Sequence, residues 1–272
     1  MNFEFEQITS RKNPGIIRAC SLEDKKHRDR EGVFAMEGEK LILEALSENI
    51  RITELFFTEK AKNNRSDILE KAYATGAKLY LVTAEVYEKL TYEKASQGIF
   101  AIAEKFDIPM LSEDVDTSHG MIVLESVRDP SNVGAILRSC AALGCPDILL
   151  TNDCADVFGY KTLRAAMGAV FKTRLHKTEN IAKSIQLLRK SGKVYAAALT
   201  DKAQSIADIT FESCDSIIIG NEGHGVSGAV LENCTGSIII PMQYGSESLN
   251  ASVAAAILIW EKARKTGDIY SR

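Results

Sequence analysis

A single carboxylate, Glu222, lies in the glycine-rich loop of residues 221–227, directly after the apolar run of residues 216–220. Glycine permits positive φ and lets a ligand touch bare backbone, so this loop is either an ordinary turn or part of a binding site. Glu222 is then a solvated acid, a partner for a basic side chain such as Arg138, or an acceptor for a ligand hydroxyl. Ser227 is suited to cap a helix that begins directly after it in the sequence.

A basic side chain, Arg138, follows a turn that Asn132 helps to shape. We place Arg138 near the start of a helix predicted over residues 133–143, where the helix dipole and unpaired N–H groups favour a bound phosphate. The guanidinium is suited to hold that phosphate. The alternative is a surface salt bridge from Arg138 to Glu125 or Asp129.

A third polar stretch, residues 240–250, runs into an alanine-rich helix predicted over residues 250–264. Ser248 or Asn250 can cap this helix, and that is their ordinary role. The helix is apolar on most sides, which is typical of a helix that is buried or packed against a partner chain.

Strand-like and helical segments alternate along the whole chain. Strands are predicted over residues 33–37, 51–57, 78–82, 97–103, 121–125, 147–150, 193–199, 216–219 and 237–240. Helices are predicted over residues 39–48, 66–75, 85–90, 133–143, 160–169, 181–190 and 250–264. This alternation predicts an α/β protein, and in its second half a mainly parallel sheet that is covered on both faces.

Composition divides the chain into a small α/β domain (1–106), a polar linker (107–118) and a second α/β domain (119–272). In parallel sheets, ligands bind beyond the carboxyl ends of the strands, so we expect the chemistry in four loops of the second domain. These are the loops after Glu125, Leu199, Ile219 and Ile240.

Length and composition narrow the class of protein. No apolar run approaches the roughly 18–20 residues that span a bilayer, and residues 1–6 carry no export signal, so no membrane association is expected. The six scattered cysteines are typical of reduced thiols in the cytoplasm. No metal site is predicted, because His119, His176 and His224 lack a second ligand at metal-binding spacing.

The net charge of −4 argues against nucleic-acid binding over the whole surface, but residues 11–30 alone carry a net charge of +4. This basic segment is either a solvated helix face or a patch that contacts phosphates. Its basic residues are Arg11, Lys12, Arg18, Lys25, Lys26, Arg28 and Arg30.

Three segments resemble the signature motifs of the SpoU (TrmH-like) branch of the SPOUT RNA 2′-O-ribose methyltransferases, in the family's order. They are Asp-Pro-Ser-Asn-Val-Gly-Ala-Ile-Leu-Arg at 129–138, Ile-Gly-Asn-Glu-Gly-His-Gly-Val-Ser at 219–227 and Ile-Pro-Met-x5-Ser-Leu-Asn-Ala-Ser-Val-Ala at 240–254. The block 164–170 is also similar, although Ala166 stands where many members have Ser. Four further segments resemble the L30e-like substrate-binding domain of many members. They are residues 10–14, the basic segment, residues 34–39 and residues 97–101.

The resemblance implies an L30e-like N-terminal domain that binds RNA, and a SPOUT domain with a C-terminal trefoil knot. It implies S-adenosylmethionine as cofactor and a homodimer whose interface includes the last helix. Carried over by motif, the cofactor contacts are Gly220, Ile240 and Leu249, with Thr200 and Met242 nearby. Carried over in the same way, the catalytic group is Arg138, with Asn132 and Glu222 orienting Arg138 and the ribose, and Ser248 and Asn250 helping to form the site.

The implied reaction is attack of a ribose 2′-oxygen on the sulfonium methyl of the cofactor. Arg138 then either accepts the hydroxyl proton or holds the phosphate and stabilises the developing oxyanion, and the second role is physically easier. Ribosomal RNA is the favoured substrate, with transfer RNA as the alternative. A catalytically silent RNA-binding relative stays open, and a Rossmann dehydrogenase is disfavoured because no Gly-x-Gly-x-x-Gly is present.

Overall fold

The computed structural model describes residues 3–243 and 248–267, so residues 244–247 of the third polar stretch lie outside it. Contacts between Cα atoms divide the chain into two units. The N-terminal unit consists of Met1–Asp107 and Phe158–Phe171, and the C-terminal unit consists of Ile108–Val157 and Lys172–Arg272.

The first part of the chain alternates strands and helices, largely as predicted. Its elements are β1 (Glu6–Ile8), α1 (Pro14–Ser21), α2 (Lys25–Glu31), β2 (Val33–Glu37), α3 (Glu39–Ser47), β3 (Ile52–Phe57), α4 (Glu59–Asn64), α5 (Ser66–Ala74), β4 (Lys78–Val82), α6 (Ala84–Leu90) and β5 (Ile99–Glu104). The strands form one sheet in the order β1-β4-β3-β5-β2. Only β5 runs antiparallel to its neighbours, β2 and β3.

The second part continues the alternation. Its elements are β6 (Ile122–Leu124), α7 (Pro130–Ala142), β7 (Asp147–Thr151), α8 (Tyr160–Ala166), a 3-10 turn (Ala169–Phe171), β8 (Arg174–Thr178), α9 (Ile181–Leu188), β9 (Val194–Ala197), β10 (Gln204–Ser205), β11 (Ser216–Ile219), α10 (Gly228–Asn233), β12 (Gly236–Ile239) and α11 (Ala251–Thr266). The expected helix behind Ser227 is α10, and Ser227 caps it.

The sheet of the C-terminal unit is parallel throughout, which confirms the prediction. Its order is β10-β12-β9-β11-β6-β7-β8. The central strands β6 and β11 are entirely buried, as expected for a sheet covered on both faces. Because β12, β9, β11 and β6 are parallel neighbours, the four loops expected to carry the chemistry leave the same edge of the sheet.

The segment Phe158–Phe171, which the sequence boundaries put in the second domain, groups with the N-terminal unit. Phe158 packs against Phe34 with ring centroids 5.1 Å apart, and Tyr160 packs against Tyr92 at 4.2 Å. Such long-range aromatic contacts leave no periodic signal in the sequence, so composition alone could not locate this crossing of the chain.

Edge elements differ most from the predictions. The strands β1, β8 and β10 were not predicted, and β8 reads Arg-Leu-His-Lys-Thr with only two buried side chains. Residues 109–111, inside the predicted linker, pair with β8 through bonds of 2.9 Å from the Leu111 N–H to the Lys177 carbonyl and from the Lys177 N–H to the Pro109 carbonyl. Polar edge strands carry little hydrophobic patterning, so the composition of 107–118 indicated a linker.

The trefoil knot that the resemblance implies stays a prediction. None of the helices in residues 3–243 and 248–267 is both long enough and apolar enough to cross a bilayer.

Candidate functional site

The start of α7 sets the position of the first motif. The carboxylate of Asp129 accepts hydrogen bonds from the backbone N–H groups of Ser131 (2.7 Å) and Asn132 (3.1 Å), and Pro130 occupies the first helical position. Both residues favour a helix start. The helix therefore begins three residues before the predicted Val133, and Asn132 lies in its first turn with a buried side chain.

The side-chain amide of Asn132 joins the three polar loops. Its Nδ2 donates to Oε1 of Glu222 at 3.0 Å, and its Oδ1 accepts from Nδ2 of Asn250 at 3.0 Å. The loops after β6, β11 and β12 thus meet at one side chain, which uses its donor and its acceptor in opposite directions. We call Asn132, Glu222 and Asn250 the bridging cluster.

Glu222 is held by more than this amide. The backbone N–H groups of Asp129 and Arg128 also point at its carboxylate, at 3.3 and 3.4 Å. Partial burial alone would raise the pKa of Glu222, but the hydrogen bonds from Asn132, Asp129 and Arg128 outweigh it and hold this pKa below its ordinary value. Glu222 is therefore an ionised, oriented carboxylate at neutral pH rather than a freely solvated acid.

The loop that carries Glu222 is closed by its own backbone. Asn221 and Gly225 exchange two hydrogen bonds of 2.9 Å, and the Asn221 side chain donates to the Ser126 carbonyl at 2.8 Å. A Cβ on Gly220 would lie 2.4 Å from the Gly225 backbone, so close approach within the loop already requires glycine at 220. Asn221 is a site residue that we did not single out from the sequence.

A second structural acid, Glu125, was also missed as such. Its buried carboxylate accepts from the backbone N–H of Ser227 at 2.9 Å and from the Ser227 hydroxyl at 2.5 Å. This pair fastens the end of the Glu222 loop to the end of β6. A carboxylate directly after an apolar strand, where the strand enters a loop, is the signal that could have indicated it.

Asn250 combines its two candidate roles. Its Oδ1 caps α11 by accepting from the backbone N–H groups of Ser252 (2.9 Å) and Val253 (3.3 Å), while its Nδ2 donates to Asn132. Ser248 is exposed and lies outside the bridging cluster. The position of Asn132 is therefore coupled to the start of α11.

Arg138 forms no hydrogen bond with the bridging cluster. It falls on the exposed row of α7 with Ser131 and Ala142, whereas Asn132 faces inward six residues earlier, about 9 Å along the axis. Because α7 begins at Pro130, Arg138 is more than two turns from the helix start, and the dipole does not support an anion there. This corrects the predicted placement of Arg138.

The guanidinium of Arg138 is not engaged. Among the described residues it forms neither a hydrogen bond nor an ion pair, so the alternative salt bridges are not made. Asp129 instead caps α7 and Glu125 binds Ser227. Arg138 also forms no pair with Glu222.

The residues assigned to the cofactor lie at the same edge of the sheet. Thr200 bonds Ser237 through their hydroxyl oxygens at 2.5 Å, and Ile240 is half-buried directly after β12. Met242 and Leu249 expose large apolar side chains, and so does Leu199, of which 84% is exposed. Exposed apolar groups beside a few polar ones fit the adenine ring and the thioether chain of S-adenosylmethionine.

No group of three or more His, Cys, Asp or Glu side chains within residues 3–243 and 248–267 is arranged to hold a metal ion.

Two arginines of the basic segment are used inside the N-terminal unit. Only 5% of Arg28 is exposed, and it donates to the carbonyls of Leu22 (2.7 Å) and Glu23 (2.6 Å) after α1. Arg18 bonds the carboxylates of Glu31 and Glu54. These two arginines stabilise the fold and offer little charge to a ligand.

The other basic side chains of the segment are exposed. Lys25 pairs with Asp29 at 3.0 Å, and Arg30 pairs with Glu31 at 3.1 Å. The remaining three, Arg11, Lys12 and Lys26, project from the surface without an acidic partner among the described residues. The charge available to a polyanion is therefore smaller than the sequence count suggests.

Comparison with protein families decides the class of this chain. The model of the SpoU rRNA Methylase family matches residues 120–260, which include all three motifs of the site. The chain belongs to this family. A second model, the MRM3-like substrate binding domain, matches residues 13–101 and agrees with the substrate-binding domain that the sequence resemblance implied.

Relatives of the SpoU family match over almost the whole chain. The 23S rRNA (guanosine(2553)-2′-O)-methyltransferase RlmP of Bacillus subtilis is 30% identical over 256 residues, 94% of this chain and 98% of that protein. The crystal structures of an rRNA methyltransferase from Sinorhizobium meliloti, one of them with AdoMet bound, superpose with a TM-score of 0.85 and 28% identity. They cover 96% of this chain and 98% of theirs.

The role of Asn132 as a bridge predicts a pH-dependent defect in Asn132→Asp. The new carboxylate would face Glu222 and raise the pKa of the pair, so stability is lost above that pKa and regained as the pH falls through it. We expect a loss of about 1–2 kcal/mol near pH 7.5 that shrinks by about pH 5, measured by urea unfolding.

The matched control is Asn180→Asp. Asn180 caps α9 by accepting from the Lys183 N–H at 3.1 Å, a role that a carboxylate performs equally well. Equal pH profiles for the two variants would contradict the bridging role of Asn132.

Proposed function

We propose that this protein is an S-adenosylmethionine-dependent methyltransferase that methylates a ribose 2′-hydroxyl in ribosomal RNA. The observation that carries the proposal is the bridging cluster, in which one amide joins all three family motifs at the carboxyl edge of the parallel sheet. RlmP of Bacillus subtilis, a 23S rRNA 2′-O-methyltransferase, supports the reaction type, and both RlmP and the rRNA methyltransferase from Sinorhizobium meliloti support the substrate class.

The cofactor supplies an electrophilic methyl group on a sulfonium. The protein must align the ribose oxygen with that methyl, accommodate the hydroxyl proton and anchor the RNA backbone. Exposed apolar side chains of Leu199, Met242 and Leu249, together with the Thr200 hydroxyl, are suited to hold the cofactor. Glu222 and Asn132 orient the sugar, because their hydrogen bonds keep the carboxylate ionised and fixed in direction.

Arg138 anchors the RNA phosphate in this proposal. Its exposed guanidinium has no acidic partner among the described residues, so binding an anion breaks no existing ion pair. A guanidinium stays protonated in proteins and cannot take the hydroxyl proton, so we assign it to the phosphate and to the developing oxyanion.

Arg138→Ala should therefore reduce methyl transfer at least about 100-fold while leaving the fold and cofactor affinity unchanged, as expected for loss of one charge-stabilising group. The measurement is transfer of tritium from labelled S-adenosylmethionine into ribosomal RNA, with calorimetric binding of S-adenosylhomocysteine beside it.

Arg189→Ala, at the exposed arginine that follows α9 and donates to the Asn233 carbonyl at 3.0 Å, serves as the control. Equal transfer rates for the two variants would remove Arg138 from the mechanism. Wild-type protein that binds the cofactor but labels neither ribosomal nor transfer RNA would instead favour a silent RNA-binding relative.

We propose further that the N-terminal domain (1–106) recognises the RNA, and that Arg11, Lys12 and Lys26 supply most of its phosphate contacts. These three side chains are exposed and unpaired among the described residues, in contrast to Arg18 and Arg28. Lys25 and Arg30 contribute less, because each shares its charge with an acid.

Reversing the three charges in Arg11→Glu, Lys12→Glu and Lys26→Glu combined should raise the Kd for a ribosomal RNA fragment at least about tenfold. The log–log salt slope should fall by roughly 0.7–0.9 for each lost phosphate contact. Filter binding between about 50 and 200 mM salt measures both quantities.

The control reverses three exposed lysines elsewhere in the same unit, Lys60, Lys78 and Lys94. An equal loss of affinity in both triple variants would mean that total charge, rather than the basic segment, binds the RNA.

We also propose a homodimer through the exposed face of α11. Val253 and Trp260 lie seven residues apart on one face of this helix, and about half of each is exposed (48% and 45%). Two large apolar side chains left open on the same helix face are typical of a protein–protein contact.

Trp260→Lys should shift the protein from dimer to monomer, because it puts a charge into the apolar contact. Light scattering over a concentration series measures the mass, for which the single chain contributes 29.8 kDa. Leu231→Lys, at an equally exposed leucine on α10, is the control. A wild-type monomer, or a dimer of Trp260→Lys as strong as that of the control, would contradict the proposal.

The proposed substrate and the six free cysteines together support a cytoplasmic location, where thiols stay reduced.

A further inference from the structure

Two lysines near the end of α11 donate to backbone carbonyls, and only one of them, Lys265, also pairs with an acid among the described residues. Lys262 is 2% exposed, and its Nζ donates to the carbonyls of Ser213 (2.9 Å) and His119 (3.2 Å). No carboxylate among the described residues pairs with it. A buried ammonium is costly unless its hydrogens are bonded, so these carbonyls hold Lys262 and are held by it.

Lys265 repeats the arrangement one turn further along the helix. Its Nζ donates to three carbonyls, those of Ile206 (2.9 Å), Ala207 (2.9 Å) and Ile209 (2.6 Å). All three come from one short piece of chain. Glu261 on α11 accepts from the same ammonium at 3.1 Å and offsets its charge.

Four of these five carbonyls, all but that of His119, belong to the connection between β9 and β11, residues 198–215. This connection begins beside Thr200, crosses to β10 on the far side of β12, and returns to β11. The Ile206 N–H bonds the Ile239 carbonyl at 3.0 Å, and the Ala203 N–H bonds the Thr200 carbonyl at 3.0 Å. Backbone hydrogen bonds therefore hold the chain at two points between Thr200 and Ile209.

The helix α11 is thus joined at its start to the bridging cluster and near its end to the connection that contains Thr200. Its first residue follows Asn250 of the bridging cluster, and its last turns hold the connection 198–215. Sixteen residues of α-helix span about 24 Å, so one rigid element fixes the distance between the two.

We propose that Lys262 and Lys265 are positioning residues for S-adenosylmethionine, which set the connection 198–215, and with it Thr200, relative to the bridging cluster. The inference rests on the proposed function. Hydrogen bonds from charged donors to carbonyls are stronger than those from neutral donors, and one ammonium that binds three carbonyls within residues 206–209 restricts the freedom of that segment. The cofactor then binds to a preorganised surface, so less conformational entropy is lost on binding.

The test replaces Lys265 by Met, which keeps the length of the side chain and removes the donors. We expect the Kd for S-adenosylhomocysteine to rise at least about tenfold by calorimetry, because the loop must be ordered on binding. The KM for the cofactor should rise equally while the KM for RNA changes less than about twofold. Backbone amides of residues 200–209 should exchange hydrogen faster, and those of Ser252 and Val253 should not.

Lys265→Arg should restore part of the affinity, since guanidinium also donates to carbonyls. Lys183→Met, at an exposed lysine of α9, is the matched control. Lys262→Met is the second variant, and we expect the same cofactor-specific defect, together with a lower melting temperature because Lys262 is buried.

The outcomes separate the two proposals. Cofactor affinity in Lys265→Met equal to that of Lys183→Met, whatever the melting temperature, would overturn the positioning role and leave the proposed function intact. A wild-type protein that binds no S-adenosylhomocysteine would overturn the proposed function, and this inference with it.

Discussion

The site depends on one constraint, the double use of the Asn132 amide. A carboxylate in its place could not donate to Glu222, and an aliphatic side chain could bond neither Glu222 nor Asn250. Asn132 itself is buried, so its own amide depends on these two bonds, because an unpaired buried amide costs more than the bond contributes. The identity of one side chain thus determines whether three loops distant in sequence converge.

The parallel sheet makes this convergence possible, and it was the part most accessible to sequence analysis. The buried strands β6, β9 and β11 appear in the sequence as apolar runs. Because they are parallel, the loops that follow them leave the same edge of the sheet. The edge strands β8 and β10 were missed because a strand with one open side needs little apolar surface. The sequence predicts the start of α7 three residues late, because the apolar periodicity begins at Val133. The helix signals Asp129 and Pro130 lie before it.

The charge available to a ligand was the least predictable property. The sequence gives the number of charged side chains but does not show which of them are buried or paired. Arg28 and Lys26 are two residues apart and read alike, yet one is buried against carbonyls and the other is exposed. Helix periodicity could have separated them, since Arg28 lies on the face of α2 that turns inward. The same holds for Arg138 and Asn132 on α7. In both helices the face on which a residue lies decides which partners its side chain can meet.

The helix α11 is held at both of its ends. An alanine-rich, mostly apolar helix packs closely and cannot bend easily, so groups fixed at its two ends cannot move independently. Asn250 ties its start to Asn132, whereas Lys262 and Lys265 tie its end to backbone carbonyls. Carbonyl contacts of this kind impose no sequence requirement on the partner segment. The sequence of residues 198–215 therefore gave no sign of this attachment.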